Sequence, residues 1–286
     1  MIAFPNCKIN LGLSIINKRN DGYHNLETIF YPLAFTDALE IIRDVQSTPL
    51  STDDITGSVT FSASGTPVPG DNKDNLCMKA YPLLQEDYPG LPSLKMHLHK
   101  AIPMGAGLGG GSADGAFVLT LLNTLFNLGL SSLELINYAS KLGSDCPFFI
   151  INTPCFATGR GEILEPVSLD LSRYSFMLVN CGITVNTGWA FSQIDTPGEG
   201  SASKAMARLK DIILQPVSTW KDLLINDFEL PVFKKYPEIK LIKDQLYDHG
   251  ALYASMSGSG SSVFGIFEKN IRPNMRFPAG YHVFSL

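Results

Sequence analysis

The chain has no run approaching ~18 consecutive apolar residues, so no segment reads as a membrane-spanning helix. Charge is also sparse. Charged residues make up 17% of the 286 residues, and the net charge of −5 speaks against a nucleic-acid partner. Cysteine is scarce and odd in number. Cys7, Cys77, Cys146, Cys155 and Cys181 are scattered, with no C-x-x-C spacing, which excludes a zinc ribbon or a disulfide framework. Reduced thiols in a cytoplasmic protein are expected. No signal-peptide pattern is expected either, because Lys8 and Asn10 interrupt the start. Internal repeats and low-complexity segments are absent. What remains is a globular chain, 45% hydrophobic, long enough for one large domain or two small ones.

The richest stretch, Pro103 to Asp114, reads P-M-G-A-G-L-G-G-G-S-A-D. Five glycines in the eleven residues 103–113 run directly into an apolar helical pattern. Backbone amides free of Cβ, backed by the positive end of a helix, suit a polyphosphate. The other reading is a flexible loop. Two familiar glycine loops are excluded. Gly105, Gly107 and Gly110 fit G-x-G-x-x-G, but the preceding segment alternates apolar Leu94, Met96 and Leu98 with polar Lys95, His97 and His99. That is a strand with one wet face, typical of an antiparallel sheet, and not the buried parallel strand of a dinucleotide site. A Walker loop needs a lysine before Ser112, and none stands there. Any lysine for these phosphates must come from elsewhere.

Residues 2–16 read as a strand or hairpin. Lys8 and Asn10 share one face of it, either as an exposed face or as the missing cation of a phosphoryl centre. Asn20-Asp21-Gly22 marks a turn, followed by Tyr23, His24, Phe30 and Tyr31, which suit either strand core or a platform for a flat base. Strands are expected over 38–43 and 59–63, loops through most of 46–74, and a helix over 75–85 capped by Asp74 or Asn75. A buried helix should span 113–128 and stop at Gly129. Ser131 and Glu134 form a capping box for a second helix to Leu142. Asp145 then occupies a tight turn ahead of an apolar strand. The second half suggests a strand over 174–185, a loop over 195–203 and helices over 205–213, 220–225 and 234–249. Met256 to Phe267 forms a second glycine loop, or a plain hairpin turn, leading into a strand.

Taken together, these motifs resemble those of the GHMP kinases (galacto-, homoserine, mevalonate and phosphomevalonate kinases). P-M-G-A-G-L-G-G-G-S-A-D is similar to their central phosphate motif, M-S-G-S-G-S-S-V-F-G to their late glycine motif and C-K-I-N-L-G-L to their first. The G-G-G-S loop, with D-G-Y-H-N-L and G-S-D-C-P-F-F, resembles the branch acting on a cytidine-diphosphate-linked methylerythritol. The likeness covers residues 2–267.

The resemblance implies an α+β, two-lobed fold. An ATP-binding N-terminal lobe with mixed sheet and helices would cover 1–155. A C-terminal lobe with antiparallel sheet and helices would cover 156–286 and contribute to the substrate site, with the active site in the cleft between lobes. It implies ATP- and Mg²⁺-dependent phosphorylation of the 2-hydroxyl in non-mevalonate isoprenoid synthesis. Asp145 would be the base, with Lys8 pairing with it and polarising the hydroxyl. Asn10 would position substrate, His24 would hydrogen-bond cytosine beside Tyr23, and Phe30 and Phe191 would stack on the ring. Pro103, Met104, Gly105, Ala106, Gly107, Leu108, Gly109, Gly110, Gly111, Ser112 and Ala113 would wrap the phosphates, with Asn75 and Lys100 lining the nucleotide pocket.

Three positions depart from the pattern: Ala113 replaces a common second serine, Gly115 a common alanine and Cys146 an aliphatic residue. No protein ligand for the metal is assigned, since phosphates and water commonly hold Mg²⁺. The expected partner is a small molecule, with neither nucleic acid nor membrane, and the expected state a monomer or weak homodimer. A related kinase of another alcohol, a nucleotide-binding regulator without catalysis and a purely structural or interaction module are the rival readings.

Overall fold

The structure, a computed structural model, describes residues 1–44, 58–68, 70–195, 206–271 and 273–286. Most of the expected loops over 46–74 and 195–203 fall outside the described residues.

The strands are β1 (Ile2–Ala3), β2 (Asn6–Lys18), β3 (His24–Thr36), β4 (Ala38–Arg43), β5 (Val59–Gly65), β6 (Leu94–Lys100), β7 (Cys155–Thr158), β8 (Ile163–Pro166), β9 (Tyr174–Asn180), β10 (Tyr253–Met256), β11 (Val263–Glu268) and β12 (His282–Ser285). The helices are α1 (Leu76–Gln85), α2 (Gly110–Phe126), α3 (Ser132–Leu142), α4 (Cys146–Ile151), α5 (Thr187–Ser192), α6 (Met206–Ile213), α7 (Glu229–Lys235) and α8 (Pro237–Asp248). They form two compact units, one of residues 1–7, 34–104 and 109–152, the other of 8–33, 105–108 and 153–286. Residues 8–33 and 105–108 group with the C-terminal part of the chain.

The first unit holds a mixed sheet in the order β1-β4-β6-β5. β6 pairs antiparallel with β4 but parallel with β5, so only one of its neighbours runs as its alternation suggests. The alternation itself is realised. Leu94, Met96 and Leu98 are buried, and His97 and His99 hydrogen-bond to Ser62 and Ser64 on the outer face. Asn75 caps α1, its side chain accepting from Cys77 N. Ser131 and Glu134 complete the expected capping box of α3. α2 ends two residues ahead of Gly129, at Asn127, which takes the left-handed conformation itself. The apolar run after Asp145 is a helix and not the expected strand. Pro147 lies in its first turn, where proline is tolerated, and a run this short cannot be assigned by periodicity.

The second unit holds two antiparallel sheets, β2-β3-β7-β8 and β10-β11-β9-β12. Leu13, Val179, Phe228, Ile239, Leu246 and Val263 are among the residues of its apolar core. The strand expected over 174–185 stops at Asn180, and the helix expected over 220–225 is a 3₁₀ segment, Val217–Asp222. The helix expected over 234–249 is two. Pro237 lacks the amide to continue α7 and instead opens α8. Met256 pairs with Val263, so the late glycine segment is both a hairpin connection and a glycine loop.

Candidate active site

In the second unit, β2 is buried along most of its length, which settles the question raised by its lysine. Lys8 is 4% exposed and Asn10 2%, so this is no solvated strand face. Burying an ammonium is costly unless it is fully hydrogen-bonded. Lys8 Nζ donates to Asn10 Oδ1 at 2.8 Å and to the carbonyl of Gly107 at 3.2 Å. It also stands over the Phe30 ring, 4.8 Å from its centroid. Asn10 Nδ2 in turn donates to Thr28 Oγ1 at 3.0 Å, fixing the amide so that its oxygen faces the cation.

The same Gly107 carbonyl accepts from Ser257 Oγ at 2.8 Å, and Asn10 N donates to that hydroxyl at 3.3 Å. The first motif, the central glycine loop and the late glycine loop therefore meet at one carbonyl. Only glycine fits at 107. Its φ is +78°, and a Cβ there would stand 1.9 Å from the Ser257 carbonyl oxygen. Behind the late loop, Asn226 Nδ2 donates to the carbonyls of Met256 and Gly258, both at 2.8 Å. Glu229 Oε1 accepts from Met256 N at 2.9 Å, while its other oxygen takes Lys243 at 2.6 Å.

The aromatic residues of this unit divide into two groups. His24 stacks on Phe191 with ring centroids 4.8 Å apart and planes 14° apart, and Phe191 meets the edge of Phe228. Burial, helped by the charge of Lys18, lowers the His24 pKa, so its imidazole is neutral at pH 7 and both donates and accepts. Tyr23 is 56% exposed, with the Arg160 guanidinium 4.9 Å above its ring. Phe30 differs from the expectation. It is 3% exposed and its ring carries Lys8, so it packs beneath the cation and offers no open face to a base.

In the first unit the glycine loop enters α2. Its N-cap, Gly109, has no side chain to cap the first turn. Ser112 in that turn hydrogen-bonds Cys146, the residue after Asp145, and so links the start of α2 to the start of α4. Burial pushes the Cys146 thiol up to about 12, which leaves it an inert packing residue. Asp145 is half-buried at the head of α4, and its carboxylate makes no capping bond to that helix. The tight turn expected at this aspartate thus leads into a helix start.

The departures noted in the sequence have packing reasons here. Ala113 is fully buried, and a Cβ on Gly115 would stand 2.8 Å from Leu76 Cβ, so glycine sets the closeness of α1 and α2.

Asn75 and Lys100 are both engaged internally. Asn75 Oδ1 caps α1, and Lys100, 1% exposed, is paired with Asp37 and Asp114. Lys100 therefore presents no ammonium to an open nucleotide pocket. Sequence reasoning passed over Ser257, Asp37 and Asp114 as individual residues. Ser257 lay in plain view in the late glycine motif, whereas nothing marked Asp37. Among the described residues, no three His, Cys, Asp or Glu side chains gather to hold a metal. No helix among them is long and apolar enough to cross a membrane.

Comparison with known proteins agrees with this geometry. The GHMP kinases N terminal domain matches residues 75–153, and the GHMP kinases C terminal domain matches 204–275. The chain is 50% identical to a 4-diphosphocytidyl-2-C-methyl-D-erythritol kinase of Azobacteroides pseudotrichonymphae genomovar. CFP2, covering 99% of this chain and 100% of the relative. It is 52% identical to the enzyme of that name from Bacteroides fragilis (strain YCH46), over 93% of this chain and 92% of the relative. Among solved structures, a 4-(cytidine 5'-diphospho)-2C-methyl-D-erythritol kinase superposes with a TM-score of 0.74 at 29% identity, covering 94% of this chain and 91% of the other. Mevalonate kinase from Methanococcus jannaschii, 12% identical with a TM-score of 0.65 over 100% and 97% of the two chains, shares the fold. The chain belongs to the GHMP kinases, small-molecule phosphotransferases that use ATP, and within them to the 4-diphosphocytidyl-2-C-methyl-D-erythritol kinase family.

Proposed function

We propose that this chain transfers the γ-phosphoryl group of ATP to the 2-hydroxyl of 4-diphosphocytidyl-2-C-methyl-D-erythritol, a step of non-mevalonate isoprenoid synthesis. The observation that carries the reading is the Gly107 carbonyl, where Lys8 and Ser257 converge on the glycine loop. Full-length identity to relatives bearing that enzyme's name supports the substrate.

Phosphoryl transfer is mostly positioning and electrostatics. The uncapped amides at the start of α2 and the preceding glycines hold the triphosphate. Asp145 accepts the proton of the 2-hydroxyl, and Lys8 polarises that hydroxyl. Asn10 orients Lys8 and contributes to substrate position. The neutral His24 hydrogen-bonds the cytosine, Phe191 stacks on it, and Tyr23 borders it. Phe30 serves from beneath Lys8.

Among the described residues no three His, Cys, Asp or Glu side chains form a cage for Mg²⁺, so the ion would be held mainly by phosphates and water, as is common for it. Bound there, Mg²⁺ would offset the charge of the triphosphate. The enzyme acts in the cytoplasm as a monomer or weak homodimer.

The test is ADP release by the purified protein with Mg-ATP and the cytidine substrate, alongside mevalonate, homoserine and galactose. Release that depends on the cytidine substrate is the expected result. Release with another alcohol instead, or none despite ATP binding, overturns the assignment.

A further inference from the structure

β6 buries every second residue, and the series Leu94, Met96, Leu98 ends on Lys100. A lysine on the apolar face of a strand needs compensation. Its ammonium finds Asp37 and, at 2.7 Å, Asp114 Oδ2, with all three side chains almost fully enclosed. The partners are not equivalent. The other oxygen of Asp37 accepts from Ala101 N at 2.6 Å and Ile102 N at 2.8 Å, the two residues that lead into Pro103. Asp114 lies just past the first turn of α2, and its Oδ1 is buried with no hydrogen-bond partner among the described residues. A Cβ placed on Gly110 would lie 2.9 Å from Lys100 Nζ, so the ammonium rests against the first residue of α2.

One ammonium therefore ties the strand-side approach to the glycine loop, through Asp37, to the helix on its far side, through Asp114. Stability does not account for the arrangement. A buried ion cluster is at best a weak source of stability, and apolar residues of like volume commonly do as well. Leaving a carboxylate oxygen without a partner makes it poorer still. What the cluster supplies that apolar packing would not is direction, because charge-assisted hydrogen bonds hold their partners at fixed distances and angles.

We propose that Asp114 is a positioning residue for ATP. Through Lys100 it sets the first turn of α2 against residues 101–102, which holds the loop amides in the arrangement that receives the triphosphate. Lys100 acts on the nucleotide through the loop and does not touch it. The inference rests on the proposed kinase reading.

The experiment compares wild type with Asp114→Asn, which keeps an oxygen for Lys100, and Asp114→Leu, of similar volume but unable to accept. Direct ATP binding, KM for both substrates, kcat and Tm are measured. Losing one charge-assisted hydrogen bond should raise the Kd and KM for ATP about tenfold in Asp114→Leu. The cytidine substrate's KM should stay put, and Asp114→Asn should recover most of the loss. ATP affinity in Asp114→Leu equal to wild type, whatever its Tm, overturns the tether, as does equal damage in both variants. If the leucine variant does not fold, Asp114→Ser, too short to reach Lys100, takes its place with the same expected outcome. A wild type that does not bind ATP overturns the kinase reading and the tether together. ATP binding in wild type with unchanged variants overturns the tether alone.

Discussion

Lys8 and Ser257 donate to the same acceptor, the carbonyl oxygen of Gly107, at 3.2 and 2.8 Å. Because the acceptor is shared, removing the lysine leaves the carbonyl still paired. Lys8→Met should therefore fold with a Tm near wild type, its side chain filling the space of the lysine stem above Phe30. Turnover should fall by roughly 10²–10³-fold, the effect of deleting a group that stabilises developing charge. A turnover within a few-fold of wild type at saturating substrates would remove Lys8 from the chemistry.

Asp145 stands at the head of α4 without a capping hydrogen bond to it. Asp145→Asn should lower kcat by roughly 10²–10⁴-fold while leaving ATP affinity in place. Equilibrium ATP binding beside steady-state turnover separates the two effects. Retained turnover would show that another group, or solvent, takes the proton.

Parts of this site were legible because local chemistry dictates them. The glycines before α2, the alternation of β6 and the Ser131–Glu134 capping box each follow from neighbours in sequence. Lys8 and Asn10 were legible as a pair, since a period of two places them on one face, but burial of that face depends on Gly107 and Ser257, far along the chain. Phe30 and Lys100 show where such reading stops. An aromatic residue beside a histidine and a lysine before a phosphate loop both suggest ligand contact. Long-range partners, Lys8 for one and Asp37 for the other, enclose both side chains in ways that no neighbour in sequence announces. The short run after Asp145 failed for a different reason, since six apolar residues carry no period that separates helix from strand.

His24 stacks on Phe191 as a neutral ring, its pKa lowered first by burial and then by Lys18. A lowered histidine pKa favours the neutral form, and the preference is lost as pH falls through the shifted value. The KM for the cytidine substrate should be level from about pH 8 to about 6.5, the ordinary histidine value, and rise only below it. His24→Ala should raise that KM about tenfold at pH 7.5 with kcat little changed. A KM that already climbs between pH 8 and 7, or one indifferent to the alanine, would rule out a base-reading role.

Gly107 holds a φ of +78° with the Ser257 carbonyl pressed against its Cα. Gly107→Ala must both adopt a left-handed backbone and displace the late glycine loop, so it should lose roughly 1–3 kcal/mol of stability from strain. Activity should fall further than stability, since the displaced loop carries the hydroxyl that shares its acceptor with Lys8. Chemical melts and turnover on the same preparation test this. Wild-type values in both would mean that the two loops are not packed as closely as the structure has them.

Burial raises the Asp114 pKa, with Lys100 opposing the shift and Asp37 adding to it. Among the described residues Cys77 on α1 also faces it, its thiol itself pushed up by burial and by Asp114. A carboxyl raised in the folded state prefers its proton there, so its contribution to stability is fully present below the unfolded value of about 4. That contribution is lost as pH rises through the shifted value. Asp114→Asn cannot titrate and lacks it. The stability of wild type minus that of Asp114→Asn, from urea melts at pH 4.5 and pH 8, should therefore be larger at the lower pH. A difference that grows toward pH 8 would mean that the carboxylate is the preferred form and that Lys100 outweighs burial at this site. A flat difference would mean that the two cancel.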